Sequence, residues 1–190
     1  MPIVFDDVLI TGSLNGTLQT STGVGTPEAT VTQSTIGDGR NFVTTLTLTE
    51  TPLLIGDGAA LASGALIYTL PAGVQFIDYA YMSVGLTATD EANAADTPEI
   101  GIGTLIGSGV AATLGAVDAA AENIIEGSAA ADCTGTAEVV ADIPTANIPL
   151  VRLAADDKTI YLNIADTYAN NTVQTATLSG TVVLKWTQLA

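Results

Sequence analysis

Histidine is absent from this 190-residue chain, Cys occurs once, and Lys and Arg together occur four times. Each shortage excludes a class of chemistry. Without His, the commonest general base and metal-ligating side chain is missing. Neither a Ser–His nor a Cys–His nucleophile pair can be assembled. A lone Cys133 forms neither an intrachain disulfide nor a Cys-rich zinc site. Arg40, Arg152, Lys158 and Lys185 are the whole cationic supply, too few to displace counterions from a nucleic-acid backbone. The same shortage sets the chain against an anionic membrane surface. Aromatic residues are 5% of the chain, few for the stacking platforms of a sugar site. The opening Met1-Pro-Ile-Val-Phe-Asp-Asp7 has no basic stretch and its apolar run is interrupted, so no signal peptide is expected.

What is present is acidic and apolar: twenty Asp and Glu, a net charge of −16, and 47% hydrophobic residues. The length suits one domain that buries most of its unfolded surface. Thr, Ala, Gly and Val dominate, and period-two alternation recurs, the mark of half-buried strands. It is clearest near the C-terminus, where Ala176, Leu178, Gly180, Val182, Leu184 and Trp186 alternate with Thr175, Thr177, Ser179, Thr181, Val183 and Lys185. Phe42, Leu46 and Leu48 repeat the pattern, as do Ile160, Leu162 and Ile164, and more briefly Leu66, Tyr68 and Leu70. Between Val74 and Ala88 the alternation shifts at Asp78, which predicts either a bulge or two successive strands. Ile100 and Ile102 mark a short strand, and Ile148, Leu150 and Arg152 begin another after Pro144. Gly37-Asp-Gly39, Gly56-Asp-Gly58 and Asp156-Asp-Lys158 read as turns, Ala88–Asp96 as a loop, and Ala111–Ile125 has room for one short helix.

About eight to ten short strands imply an antiparallel sandwich or barrel. An immunoglobulin-type sandwich needs only about 100 residues, so the extra length favours a jelly roll of two sheets. The expected fold is therefore all-β, a jelly-roll-like antiparallel β-sandwich with an extended N-terminal arm and at most one short helix. Residues 1–35 read as that arm or as edge strands, and residues 36–190 as the sandwich domain.

No catalytic constellation emerges. Asp90, Glu91, Asp96 and Glu99 share one loop region, and gathered carboxylates can bind Ca²⁺, but no EF-hand spacing is present and a solvated acidic loop is the simpler reading. A carboxylate pair suited to glycoside cleavage arises easily by chance among twenty. Gly101-Ile-Gly103-Thr-Leu-Ile-Gly107 departs from the dinucleotide fingerprint by one residue and lacks a βαβ context. Ile100–Val117 is eighteen residues without a charge, the length of a membrane span, yet five glycines and two acidic flanks favour Gly-rich strands and a turn. Asn15-Gly-Thr17 and Asn170-Asn-Thr172 match the N-glycosylation pattern as chance products of a Thr-rich chain. No base stands ready to ionise Cys133. Trp186 belongs to the core, whereas Tyr79, Tyr81 and Tyr161 lie opposite the apolar faces by strand parity and are the candidate interface residues. No cofactor and no metal site are expected.

The Thr-coated strand faces are weakly polar and cheap to desolvate, which suits a subunit of a larger assembly. Two stretches, Ile67-Tyr-Thr-Leu-Pro-Ala-Gly73 leading into a hydrophobic strand and the final Thr177-Leu-Ser-Gly-Thr-Val-Val-Leu-Lys-Trp186, carry a resemblance. In pattern, over Leu66–Trp186, the chain resembles the capsid decoration (cement) proteins of tailed bacteriophages. That resemblance implies a virion structural protein, not an enzyme. It would be made in the host cytoplasm and seat as a jelly-roll homotrimer on the outer surface of a shell of major capsid protein. Met1–Thr35 would then be an arm that orders on the shell or on a neighbouring subunit. A receptor-binding or fibre-tip module, or a carbohydrate-binding jelly roll, is the alternative; the scarcity of aromatics weighs against the last.

Overall fold

Strand alternation organises nearly the whole of the computed structural model, which describes residues 17–19, 25–55, 60–142, 150–152, 159–170 and 172–189. Among the described residues twelve strands form: β1 (Thr17–Gln19), β2 (Thr26–Pro27), β3 (Val31–Gly37), β4 (Asn41–Ile55), β5 (Ala62–Thr69), β6 (Gly73–Ala88), β7 (Glu99–Gly103), β8 (Ile125–Ala129), β9 (Glu138–Asp142), β10 (Leu150–Arg152), β11 (Thr159–Ala165) and β12 (Gln174–Leu189). One α-helix, α1, spans Leu114–Val117, inside the stretch where the sequence left room for it.

The strands divide into two sheets. One runs β1-β3-β4-β12-β6-β10 with β9 also on β6, and the other runs β2-β5-β11-β7-β8. Every pairing is antiparallel. β9 pairs with Ala80–Val84 and β10 with Gly73–Gln75, so the two occupy one edge position in succession. Leaving out β1–β3, the sheets read β4-β12-β6-β9 and β5-β11-β7-β8. The last strand thus lies between the first and third, and the next-to-last between the second and fourth. That nested wind is the jelly roll, closed by two packed sheets.

In the seven-stranded sheet two bulges keep the apolar residues facing inward. On β6 the partner of Lys185 is Tyr79 and that of Trp186 is Ile77, leaving Asp78 unpaired. Inward positions accordingly change from Gln75 and Ile77 to Ala80, Met82, Val84 and Leu86. The shifted alternation at Asp78 is therefore a bulge within one strand. On β4, Leu178 faces Thr51 and Gly180 faces Leu48, so Thr49 and Glu50 share one opposing residue. Glu50 adopts φ 47°, and its N–H donates to Ser179 Oγ at 3.0 Å. Past this bulge Thr51, Leu53 and Ile55 turn inward, extending the strand beyond the run that ended at Thr49. Pro52 is tolerated there because β3 stops pairing with β4 at Leu48, so its missing N–H faces no neighbouring strand among the described residues.

The core lies between the sheets. Trp186 is fully buried, stacked on its register partner Phe42 with centroids 4.5 Å apart, a pairing worth about 1 kcal/mol beyond its burial. Its indole N–H donates to Thr44 Oγ1 at 2.9 Å, and Thr44 exchanges a 3.0 Å hydrogen bond with Thr35. A polar thread thus runs through a largely apolar interior with its members satisfied. Burial raises the Tyr68 hydroxyl from 10.0 to about 12, against a hydrogen bond with Thr44.

Of residues 1–35, β1 pairs with β3, β2 with β5, and most of β3 with β4. Residues 1–16 and 20–24 of the expected arm, the turns expected at Gly56–Gly58 and Asp156–Lys158, and Pro144 and Ile148 lie outside the described residues.

Candidate interaction surfaces

The outer face of the seven-stranded sheet is built by register. Ile36, Val43, Lys185 and Tyr79 form one cross-strand row. Ser34, Thr45, Val183 and Tyr81 form the next, and Thr32, Thr47, Thr181, Ser83 and Val139 the third. These thirteen positions hold one charge, on Lys185, and no carboxylate, in a chain with twenty. Ile36 is 49% exposed and Val139 59%. No part of the described chain crosses these rows. Asp78 stands at their border, accepting from Thr187 Oγ1 at 2.9 Å.

The other sheet turns a different outer face. Here the segment 104–124 folds back over β7 and β11. Thr104 and Leu105 both donate N–H groups to Ala120 O, at 2.9 and 3.0 Å. Asn163, fully buried on β11, accepts from Gly107 N at 2.8 Å and donates to Leu105 O at 2.9 Å and Ala121 O at 2.7 Å. One side chain therefore ties three points of the cover to the sheet. Gly101 and Gly103 are glycines because the cover lies on them: a Cβ on Gly103 would stand 2.3 Å from Ala120 O, and one on Gly101 2.8 Å from Leu114 Cδ1. The glycine spacing that loosely suggested a nucleotide loop has a packing cause. The uncharged stretch 100–117 is a strand, a pinned loop and α1; no helix among the described residues is long and apolar enough to cross a membrane.

The three candidate tyrosines divide between these faces. Tyr79 and Tyr81 stand on the open rows of β6 beside Lys185 and Val183, whereas Tyr161 is on β11 in the other sheet, opposite Gly103 and Leu66. Strand parity placed each side chain outward but carried no information about which sheet it joined.

The acidic loop residues act as ties. Asp90 Oδ1 accepts from Ala92 N at 2.7 Å and its Oδ2 from Asn170 Nδ2 at 2.6 Å. Asp96 Oδ2 accepts from Ala169 N at 2.9 Å, and Glu99 accepts from Leu114 N. Among the described residues no cluster of three or more His, Cys, Asp or Glu is arranged to hold a metal ion. Cys133 is buried, and its Sγ donates to Asp96 O at 3.4 Å. Burial first, then the neighbouring Asp96, Asp166 and Asp132 carboxylates, push its thiol from 9.0 up to about 12, so at neutral pH it is protonated and not a nucleophile. Asp38 is pulled down to about 2 by hydrogen bonds from the Asn41 backbone, the Asn41 side chain and the Arg40 backbone, which fix the Gly37-Asp-Gly39 turn.

No family model matches the chain, and no curated protein matches it either. Among solved structures, that of an arabinose-bound α-L-arabinofuranosidase is similar over 90% of this chain at 12% identity and a TM-score of 0.37. The match covers 25% of that enzyme's chain, so this protein spans about a quarter of its length. A likeness at that score carries no argument about fold or chemistry.

Proposed function

We propose that the protein is a virion structural subunit without catalytic activity, a decoration protein that seats as a homotrimer on the outer surface of a major capsid shell. The open face of the seven-stranded sheet is its docking surface. The observation that supports this reading is the absence of carboxylates from the three central rows of that face, which Asp78 and Glu50 flank, in a chain of net charge −16. Thr, Val and Tyr side chains desolvate at low cost, whereas a buried unpaired carboxylate costs several kcal/mol.

Size also bears on the mechanism. Five strands at about 4.8 Å and five residues at about 3.4 Å give a flat footprint of roughly 400 Å². A standard interface takes about 800 Å² from each partner. One face alone therefore binds weakly, and three linked in one oligomer gain by raising the effective concentration of each contact. The mechanism is physical: buried area added across neighbouring shell subunits resists their separation.

Co-sedimentation with bare, expanded shells of the parent phage tests the reading. Wild type is expected to pellet with shells. Val183→Asp, which puts a carboxylate in the middle row, is expected to stay in the supernatant while keeping the wild-type circular-dichroism spectrum. A folded wild type that ignores shells but binds a glycan array would favour the carbohydrate-binding alternative and end this one.

A further inference from the structure

The open face of the seven-stranded sheet has one chemical irregularity. Lys185 lies in its first row, with Val43 and Ile36 on one side and Tyr79 on the other. All four side chains are exposed, so a cation is set into an apolar row that faces water. Among the described residues the Lys185 ammonium has neither a hydrogen-bond nor an ion-pair partner. The carboxylate at the border, Asp78, is engaged elsewhere, accepting from Thr187 Oγ1 at 2.9 Å.

Position decides what becomes of this charge when the face is covered. β12 is interior to the sheet, with β4 and then β3 on one side and β6 on the other. Strands are about 4.8 Å apart, so a partner seated on the three rows lies over the ammonium and not beside it. In the free protein Lys185 rests its stem on the apolar row and keeps its head in water. A cover removes that water. An ammonium covered without a counter-charge loses its hydration and gains nothing in return, which works against the gain from burying Ile36, Val43 and Tyr79.

We propose that Lys185 selects the partner: the shell surface that seats here is apolar and uncharged except for one carboxylate, which meets the Lys185 ammonium. This rests on the docking reading above and adds the partner's chemistry to it. Charge complementarity fixes the sign, because a cation ringed by uncharged side chains is compensated only by an anion. The pair also sets register. A Thr-coated face has many nearly equivalent seatings on an apolar partner, whereas a single charge pair has one. A second copy presenting the same face does not fit, since its three rows hold no carboxylate and would add another cation.

Co-sedimentation with bare, expanded shells, titrated to give a dissociation constant, tests this on four variants. Lys185→Arg keeps the charge and is expected to bind nearly as wild type. Lys185→Gln keeps a donor without the charge, and Lys185→Met keeps only the stem. Each of these two is expected to weaken binding at least about thirtyfold, because the partner's carboxylate is left buried and unpaired. Asp78→Asn is expected to bind as wild type. Both positions are exposed, so all four variants should melt as wild type does. A wild type that ignores shells defeats the docking reading and this inference with it. A wild type that binds, with Lys185→Met equally tight, defeats this inference alone. Binding kept by Lys185→Gln would make the acceptor a neutral group, and a loss in Lys185→Arg as large as in Lys185→Met would make shape the determinant. An equal loss in Asp78→Asn would make Asp78 the counter-charge. A change in the sedimenting mass of free protein on Lys185→Met would assign the face to a contact between copies. Each of these outcomes overturns the proposal.

Discussion

The two sheets begin from the same strand grammar and finish with opposite outer faces. On the five-stranded sheet the outward positions include Gly101, Gly103 and the fully buried Asn163, and the chain's own segment 104–124 lies across them. On the seven-stranded sheet the three central outward rows hold Thr, Ser, Val, Ile, Tyr and one Lys, flanked by Asp78 and Glu50, with nothing of the described chain above them. The difference teaches what a covered face requires. A sheet roofed by irregular backbone must satisfy that backbone's N–H and C=O groups, and it must leave space for it. Asn supplies the hydrogen bonds and Gly supplies the space. A face meant for another molecule needs neither, and Thr meets water and a partner equally well.

Asn163→Leu is the largest way to break the comparison. It would strip Gly107 N, Leu105 O and Ala121 O of their partner at once. Each buried group left unsatisfied costs about 1–3 kcal/mol, so a loss of at least about 3 kcal/mol in urea denaturation is expected. Faster hydrogen exchange across 104–124 should accompany it. A loss below about 1 kcal/mol would mean the cover is held by its apolar residues and not by the tie.

Much of the fold was legible for a simple reason. Alternation with inward Leu, Ile and Val is required wherever one face of a strand is buried, and the break in that alternation at Asp78 has only local causes. The bulge at Glu50 left a fainter mark. The alternation read from Phe42 stopped at Thr49, and the pairing of β3 explains why the strand runs on through Pro52. The two faces were legible as outward positions, but not as covered or open, because coverage depends on which loop folds back. Asn163 looked like Thr159 and Tyr161, another polar residue opposite an apolar face. The signals that could have separated it were an amide where Thr was the rule, and two glycines at alternate positions on β7.

Alkali probes the interior, which the open face does not reach. The Cys133 thiol is raised from 9.0 to about 12, chiefly by burial. Above pH 9 the unfolded chain releases this proton while the folded chain retains it, so stability falls as pH rises from 9 towards 12. Tyr68, raised from 10.0 to about 12 by burial, adds a loss of the same sign beginning about one unit higher. Below pH 9 neither group contributes a slope. Cys133→Ala should therefore melt with a shallower alkaline decline than wild type between pH 9 and 10, with little change in slope near neutrality. Identical declines would show that this thiol ionises as readily in the fold as out of it.

The smallest effect sharpens the comparison most, because it asks the open face to do nothing. Thr47 stands exposed between Thr32 and Thr181. Its hydroxyl meets water in the folded and unfolded chain alike, so Thr47→Val changes no buried hydrogen bond and keeps a β-branched shape suited to a strand. A change in unfolding free energy within about 0.5 kcal/mol is expected, against at least about 3 kcal/mol for the tie beneath the covered face. A drop of more than about 1 kcal/mol would mean that a segment outside the described residues lies over this row and bonds the hydroxyl. The face would then be roofed as its counterpart is, and could not serve as the docking surface in the free protein. If stability holds, shell binding by the same variant reads the bound state: a loss would mark Thr47 as hydrogen-bonded to the shell, whereas unchanged or tighter binding would mark packing alone.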